Sequence, residues 1–284
     1  MKLLFFCPHW GSESMPFEKF LHRVKDAGYD GVEMSFPLNT KERDELVEQI
    51  NSFGLKLIAQ HWETIDLDHA LHLKNFEERI RNLANTDPIF INSQTGKDYY
   101  TFSQNKRLFD LANSISQETG VRIIHETHRG KWGFAAHIAK QYLDRLPNLK
   151  IALDISHWCA TAESFLEDQE EAVSSAFCAT EHLHARVGYQ EGPQVPDPRV
   201  PQWQSALNIH FAWWDQLIEY HRIIGKEYFT VTPEFGAPPY MVLNPKTGEP
   251  LIDQWEINVW TMNQFKKRYQ NLSNPILENP KNRK

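Results

Sequence analysis

Eight short apolar runs recur along the 284-residue chain, each followed by a polar stretch with helical spacing. They are Lys2–Pro8, Gly31–Phe36, Leu55–Trp62, Pro88–Thr95, Val121–His128, Leu149–His157, His182–Gly188 and Tyr228–Phe235. Continuous apolar runs of this length suit strands buried on both faces, as in a parallel sheet. Between them, Phe17, Phe20, Leu21, Val24 and Ala27 keep the spacing of one helix face, and Gly28 stops it. Leu46, Val47, Ile50 and Phe53 do the same before Gly54, as do Leu108, Leu111, Ala112 and Ile115 before Gly120. Eight strand–helix units at this length predict an α/β fold of the (β/α)8 barrel type. An open doubly wound sheet would want a Gly-x-Gly-x-x-Gly turn after the first strand, and His9-Trp10-Gly11-Ser12-Glu13 is not one. No linker divides the chain. A single barrel is expected over 1–271, with long loops near 188–205 and 236–251 and a polar tail over 272–284.

Composition narrows the function. A hydrophobic fraction of 41% suffices for a sizeable core. With 30 Lys+Arg against 37 Asp+Glu, the net charge of −7 speaks against a nucleic-acid partner, which needs a basic surface. No apolar run approaches the roughly 18 residues of a membrane helix. Cys7, Cys159 and Cys178 form neither a disulfide framework nor a Cys-x-x-Cys pair, so a cytoplasmic location is expected.

The informative residues lie where four late strands stop being apolar: Ile124-His125-Glu126, Leu153-Asp154, Leu183-His184 and Pro233-Glu234. A barrel keeps its active site at that end. One carboxylate there is ordinarily a helix cap or a loop salt bridge. Three carboxylates on neighbouring strands would resist ionisation unless a cation neutralised them. Glu126, Asp154, His184 and Glu234 therefore predict a site for one divalent ion. Oxygen-rich ligation with one imidazole suits Mn2+, Mg2+ or Co2+, with Zn2+ also admissible. His157 follows Asp154 closely, and Arg186 shares the face of His184 by strand alternation. Arg186 either meets substrate or neutralises Asp154 and Glu234. His125 and Thr127 point away from Glu126, towards the helices. His9, Trp10, His61, Trp62 and Gln94 end earlier strands and are pocket candidates, with ordinary packing as the alternative.

At these residues the chain resembles the xylose isomerase-like TIM-barrel superfamily, which groups sugar isomerases and epimerases with AP endonuclease family 2. The resemblance runs from Lys2 to about Tyr269, and its most specific elements are Glu126, Asp154-x-x-His157, His184 and Glu234. It is closest in site pattern to the ketose 3-epimerases. That likeness implies Glu126 and Glu234 as the catalytic acid/base pair, Asp154 and His184 completing the metal shell, and His157 and Arg186 on substrate oxygens. His9, Trp10, His61 and Gln94 complete the substrate-binding candidates. The DNA-repair branch, similar to endonuclease IV, needs further histidines. His61 could supply one, but Asn92-Ser93-Gln94-Thr95 has none, and Asp197-Pro198-Arg199 has Arg where a ligand would be His.

The implied chemistry is proton transfer next to a carbonyl through an enediolate, on a small sugar or polyol. Trp10, Trp62 and Trp158 would cover the apolar faces of such a substrate. Tyr189, Trp203 and Tyr240 in the two long loops would wall the pocket as lids. The same aromatics would serve a homo-oligomer interface equally well. A metal-dependent dehydratase or lyase acting on a keto-inositol-like ring, and a non-catalytic sugar-binding relative, are the competing readings.

Overall fold

The computed structural model describes residues 1–270. Among these, eight parallel strands close into a barrel in chain order: β1 (Lys2–Pro8), β2 (Gly31–Met34), β3 (Lys56–His61), β4 (Ile91–Ser93), β5 (Ile123–Glu126), β6 (Ile151–Leu153), β7 (Thr180–Ala185) and β8 (Tyr228–Pro233). The ring closes where Lys2–Phe5 of β1 pairs with Tyr228–Val231 of β8. Around it lie α1 (Phe17–Ala27), α2 (Thr40–Ser52), α3 (His69–Ala84), α4 (Phe102–Thr119), α5 (Ala136–Arg145), α6 (Ser156–Ala162), α7 (Glu170–Ala179), α8 (Gln204–Ile223) and α9 (Gln254–Arg268). The predicted (β/α)8 barrel is the observed fold. The expected tail over 272–284 lies outside the described residues. No helix among the described residues is long and apolar enough to cross a membrane.

The helix ends follow local chemistry. Gly28 adopts a left-handed φ of 83° after α1, a conformation open to residues without a Cβ. Asn39, Asp68 and Asp253 cap α2, α3 and α9 by accepting backbone N–H groups, and Thr101 forms a reciprocal capping box with Gln104 on α4.

Strand alternation sorts the side chains into two cores. Outward residues such as Phe5, Val32, Leu57, Ile91, Ile151, Leu183 and Val231 pack against Phe20, Phe76, Leu108, Leu217 and Phe265 of the helices. Inward residues Leu4, Phe6, Ile58, Phe90, Ile124 and Ala152 plug the lower barrel. On β3 to β8 every inward position is even-numbered. That parity carries Gln60, Asn92, Gln94, Glu126, His128, Asp154, His182, His184, Arg186 and Glu234 inward above the plug.

Most strands are shorter than expected, because the ladder ends where the backbone leaves for the βα loop. The largest difference follows β6. Ile155–His157 was expected as strand, but α6 begins at Ser156, and Asp154 Oδ1 accepts both Ser156 N–H (3.0 Å) and Ser156 O–H. The loop over 188–205 buries Pro193, Gln194 and Val195. Val195 N–H bonds Val187 O at 2.9 Å, and a 3-10 turn at Pro201–Trp203 leads into α8. Gln194 ties it to the second loop by exchanging two hydrogen bonds with Gly236, at 2.6 and 3.2 Å.

Candidate functional site

The four residues singled out at the late strand ends converge, and all are buried. Asp154, His184 and Glu234 each bring a potential ligand atom within 4.8 Å of the others. His184 Nδ1 lies 2.9 Å from Glu234 Oε2 and 3.8 Å from Glu126 Oε1. Arg186 bridges two of the carboxylates, with Nε 3.1 Å from Asp154 Oδ2 and Nη2 2.5 Å from Glu234 Oε2. His157 Nε2 is 3.5 Å from Asp154 Oδ2, and Gln94 Nε2 donates to Glu126 Oε1 at 3.3 Å.

A pocket of about 780 Å3 opens over this cluster at the C-terminal ends of the strands. His9, Trp10 and Gln94 line it, as do Trp62 and Tyr240, and it reaches Arg186 and Glu234. Trp62 is 53% exposed, a flat apolar face presented to the pocket. Trp10 packs edge-on against Tyr240 at 5.3 Å. A Cβ at Gly236 would overlap the Trp10 ring, so glycine there lets the indole sit against the strand end beside Glu234.

Several candidates lie elsewhere. His61 is fully buried on the outer face of β3, bonded to Ser93 Oγ (2.9 Å) and Thr64 Oγ1 (2.7 Å) and edge-on to Phe76. Strand parity gives its place in the pocket to Gln60. Trp158, expected to cover substrate, is fully buried in α6 and donates Nε1–H to Gly133 O at 2.8 Å. Tyr189 and Trp203 pack against each other at 4.8 Å, which leaves Tyr240 as the pocket-wall aromatic of the three. His125 faces the helices as expected, edge-on to Phe109 at 4.7 Å.

Sequence reasoning missed Glu33. This β2 carboxylate lies inside the barrel, with Oε1 3.0 Å from His184 Nε2 and Oε2 3.2 Å from His182 Nε2, and it accepts from Thr232 Oγ1 and Asn92 Nδ2. It holds one side of the His184 ring, so the other nitrogen, Nδ1, faces Glu126 and Glu234. A carboxylate behind an imidazole fixes the tautomer of a metal-ligating histidine. The signal was available: a glutamate interrupts the apolar run Gly31-Val32-Glu33-Met34.

The ionisation of these groups is strongly split. Burial raises Glu126 to about 8, because the pull of His184 is offset by Glu234, Asp154 and Glu33. Burial also acts on Glu234, but Arg186 and His184 outweigh it and bring the carboxyl down to about 2. Burial raises Asp154 despite Arg186. Burial opposes charge on His184, yet Glu234, Glu33 and Glu126 hold it well above the ordinary histidine range. Burial keeps His157 well below that range and His128 at about 3, so both imidazoles are neutral. Burial and the neighbouring charges thus push the two glutamates in opposite directions.

These residues fit a divalent ion. His184 Nδ1 is buried without a hydrogen-bond partner and aims at carboxylate oxygens. Burial and three neighbouring carboxylates raise the Glu126 carboxyl, a cost that a cation would relieve. An Nδ1 donor with three carboxylates makes a hard, oxygen-rich set.

A profile of the xylose isomerase-like TIM barrel matches residues 21–193. No curated protein matches the sequence. Among solved structures, the apo form of the 3-keto-D-glucoside 4-epimerase YcjR from E. coli is 14% identical, with 94% of this chain and 100% of that one covered at a TM-score of 0.60. The probable 3-DHS dehydratase AsbF from Bacillus anthracis is 15% identical, covering 94% and 100%, at 0.59. A xylose isomerase domain protein from Planctomyces limnophilus is 12% identical, covering 95% and 98%, at 0.62. At these identities the likeness speaks to the fold. The profile spans more than half of the chain, and the eight strands close in chain order: this protein belongs to the xylose isomerase-like TIM-barrel family.

Proposed function

We propose that the protein is a divalent-metal-dependent sugar isomerase or epimerase that moves a proton on the carbon next to a carbonyl. The observation that carries this reading is the pair Glu126 and Glu234, both buried and both beside His184 Nδ1, at 3.8 and 2.9 Å. Glu126, Asp154, His184 and Glu234 would hold one ion, with Mn2+, Mg2+ or Co2+ favoured by the oxygen-rich set and Zn2+ admissible. When bound, the ion supplies Lewis acidity, which polarises a carbonyl and is worth several kcal/mol.

The chain's own groups do the rest. Glu234, kept ionised by Arg186 and His184, accepts the proton. Glu126, on the same imidazole, returns one, to the same carbon in an epimerase or to its neighbour in an isomerase. Glu33 holds His184 in place. Arg186 orients Glu234, and its Nη1, buried without a partner, is free for a substrate oxygen. His157 and Gln94 supply further polar contacts, and His9 lines the wall. Trp10, Trp62 and Tyr240 cover apolar sugar faces and exclude water. A non-ionic keto sugar, the substrate class of YcjR, fits these walls.

One observation favours a second reading. Burial raises the Glu126 carboxyl, and a carboxyl that holds its proton could protonate a leaving hydroxyl, as a dehydratase requires. Incubating the Mn2+-loaded protein with keto sugars and ketoses, and following products by NMR, tests both. Epimers or isomers support the proposal, unsaturated products favour the dehydratase, and unchanged substrates throughout the panel would remove both.

A further inference from the structure

The pocket is larger than one sugar ring needs. Its volume of about 780 Å3 falls in the range that takes a drug-sized ligand, roughly 300–1,000 Å3. The polar groups of the site occupy one side of it. Gln94, His128, Arg186, Glu234 and Tyr240 come from the ends of β4, β5, β7 and β8 and the loops after them. The other side lies over β1 to β3. There Met15, Phe17, Met34, Phe36, Pro37 and Leu46 form an apolar compartment between α1 and α2. In the closed ring β2 stands opposite β6, so the compartment is set away from the carboxylate cluster. Glu33 points into the barrel, so Met34 and Phe36 point out of it by alternation. The pocket therefore reaches past the barrel wall at β2.

The polar groups on that side are already engaged with one another. Glu63 accepts the Ser35 hydroxyl and the Trp62 N–H (3.0 Å), and Arg79 Nη1 lies 3.7 Å from the same carboxylate and donates to Phe36 O at 3.5 Å. The exposed Glu13 accepts Gly11 N–H at 2.8 Å. A second sugar ring would find few free partners for its hydroxyls there, and a phosphate would meet a cation already paired and the carboxylates of Glu13 and Glu63. An aromatic group suits the walls better. Met15 and Met34 offer polarisable sulfur, Phe17 and Phe36 offer rings, and Trp62 presents a flat, half-exposed face. We infer that the substrate is a keto sugar carrying a neutral aromatic aglycone, with the sugar at the carboxylate cluster and the aglycone in the compartment between α1 and α2. For the sugar end this rests on the proton-transfer reading above. The compartment stands on its own walls.

Binding of simple glycosides tests the compartment without any turnover. Titration calorimetry of the full chain compares the methyl and phenyl β-glycosides of glucose, galactose and xylose, with cellobiose as the two-sugar control. In at least one pair the phenyl glycoside should bind about tenfold or more tightly than its methyl partner, and more tightly than cellobiose. Leu46→Asp places a charge in the compartment. It should cut that preference to within about twofold and leave the methyl glycoside unchanged. Met15→Asp should do the same, and it carries the test if circular dichroism shows that Leu46→Asp does not fold. A panel in which no phenyl glycoside outbinds its methyl partner overturns the inference. So does a phenyl preference that survives both variants, or cellobiose binding as tightly as the phenyl glycoside. Deuterium exchange into keto sugars separates the two readings. Exchange without a phenyl preference removes the aglycone compartment and leaves the proton transfer, and a phenyl preference lost in the variants without exchange does the reverse.

Discussion

Glu126 and Glu234 flank the same imidazole, yet burial raises one carboxyl and the other is lowered, because Arg186 reaches Glu234 and not Glu126. Replacing either by Gln keeps its shape and an oxygen but removes its ability to carry a proton. Each variant is expected to lose about 10²-fold or more in kcat with little change in melting temperature. Turnover within a few-fold of wild type in Glu234→Gln would remove it from the acid/base pair. Glu33 makes a different prediction. Glu33→Gln should weaken metal binding about 10–100-fold by loosening His184, read by titration calorimetry. Unchanged affinity would reduce Glu33 to a barrel-packing residue. The two cases also differ in legibility. Glu126, Asp154, His184 and Glu234 stand out because each ends an apolar run. Glu33 sits inside its run, and its purpose depends on His182 and His184, 149 and 151 residues away in the chain.

At the scale of elements, alternation decides which strand-end residues reach the pocket. His61 and Gln60 are neighbours, and only the even-numbered one shares the face of Ile58, which plugs the barrel. The apolar runs reveal where strands lie but not which face is inward when both faces are buried, and this is why His61 was a candidate and Gln60 was not. The loops show a similar limit. Their position after β7 and β8 was legible, but which aromatics turn inward was settled by tertiary packing. Tyr240→Ala should raise KM about tenfold, equivalent to ~1.4 kcal/mol of lost contact, with a smaller effect on kcat. An unchanged KM would remove Tyr240 from substrate binding.

The root of the 188–205 loop depends on a neutral histidine in α8. His210 accepts the Gly188 N–H through Nε2 at 3.1 Å and donates Nδ1–H to Ala206 O at 2.9 Å. Burial lowers its pKa from 6.5 to about 4. The unfolded chain therefore takes up this proton near pH 6.5 and the folded chain only near pH 4. The stabilisation is complete above pH 6.5 and is lost as pH falls towards 4, by on the order of 3 kcal/mol. Urea melts of wild type and His210→Gln from pH 7 to 4.5 check this. The variant should be less stable at pH 7 and should lose less on acidification. Parallel pH profiles would contradict the assignment.

For the whole molecule, the barrel is written in the sequence by eight apolar runs whose order matches the closed ring. The acidic balance agrees with a site made of buried carboxylates, Glu33, Glu126, Asp154 and Glu234. A bound ion that the unfolded chain does not hold must stabilise the fold, by about 2.7 kcal/mol at a free concentration 100 times Kd. Chelation should lower the melting temperature, and reloading with Mn2+ or Co2+ should restore it. A melting temperature indifferent to both would argue against a resident metal. The central claim is that a proton moves on the carbon beside a carbonyl, and solvent deuterium reads that step directly. The metal-loaded protein, incubated in deuterated water with a keto sugar that it binds, should place deuterium on that carbon in recovered substrate and product. The label should be lost in Glu234→Gln. A bound keto sugar recovered without deuterium, or one labelled equally by the wild type and Glu234→Gln, would contradict the account.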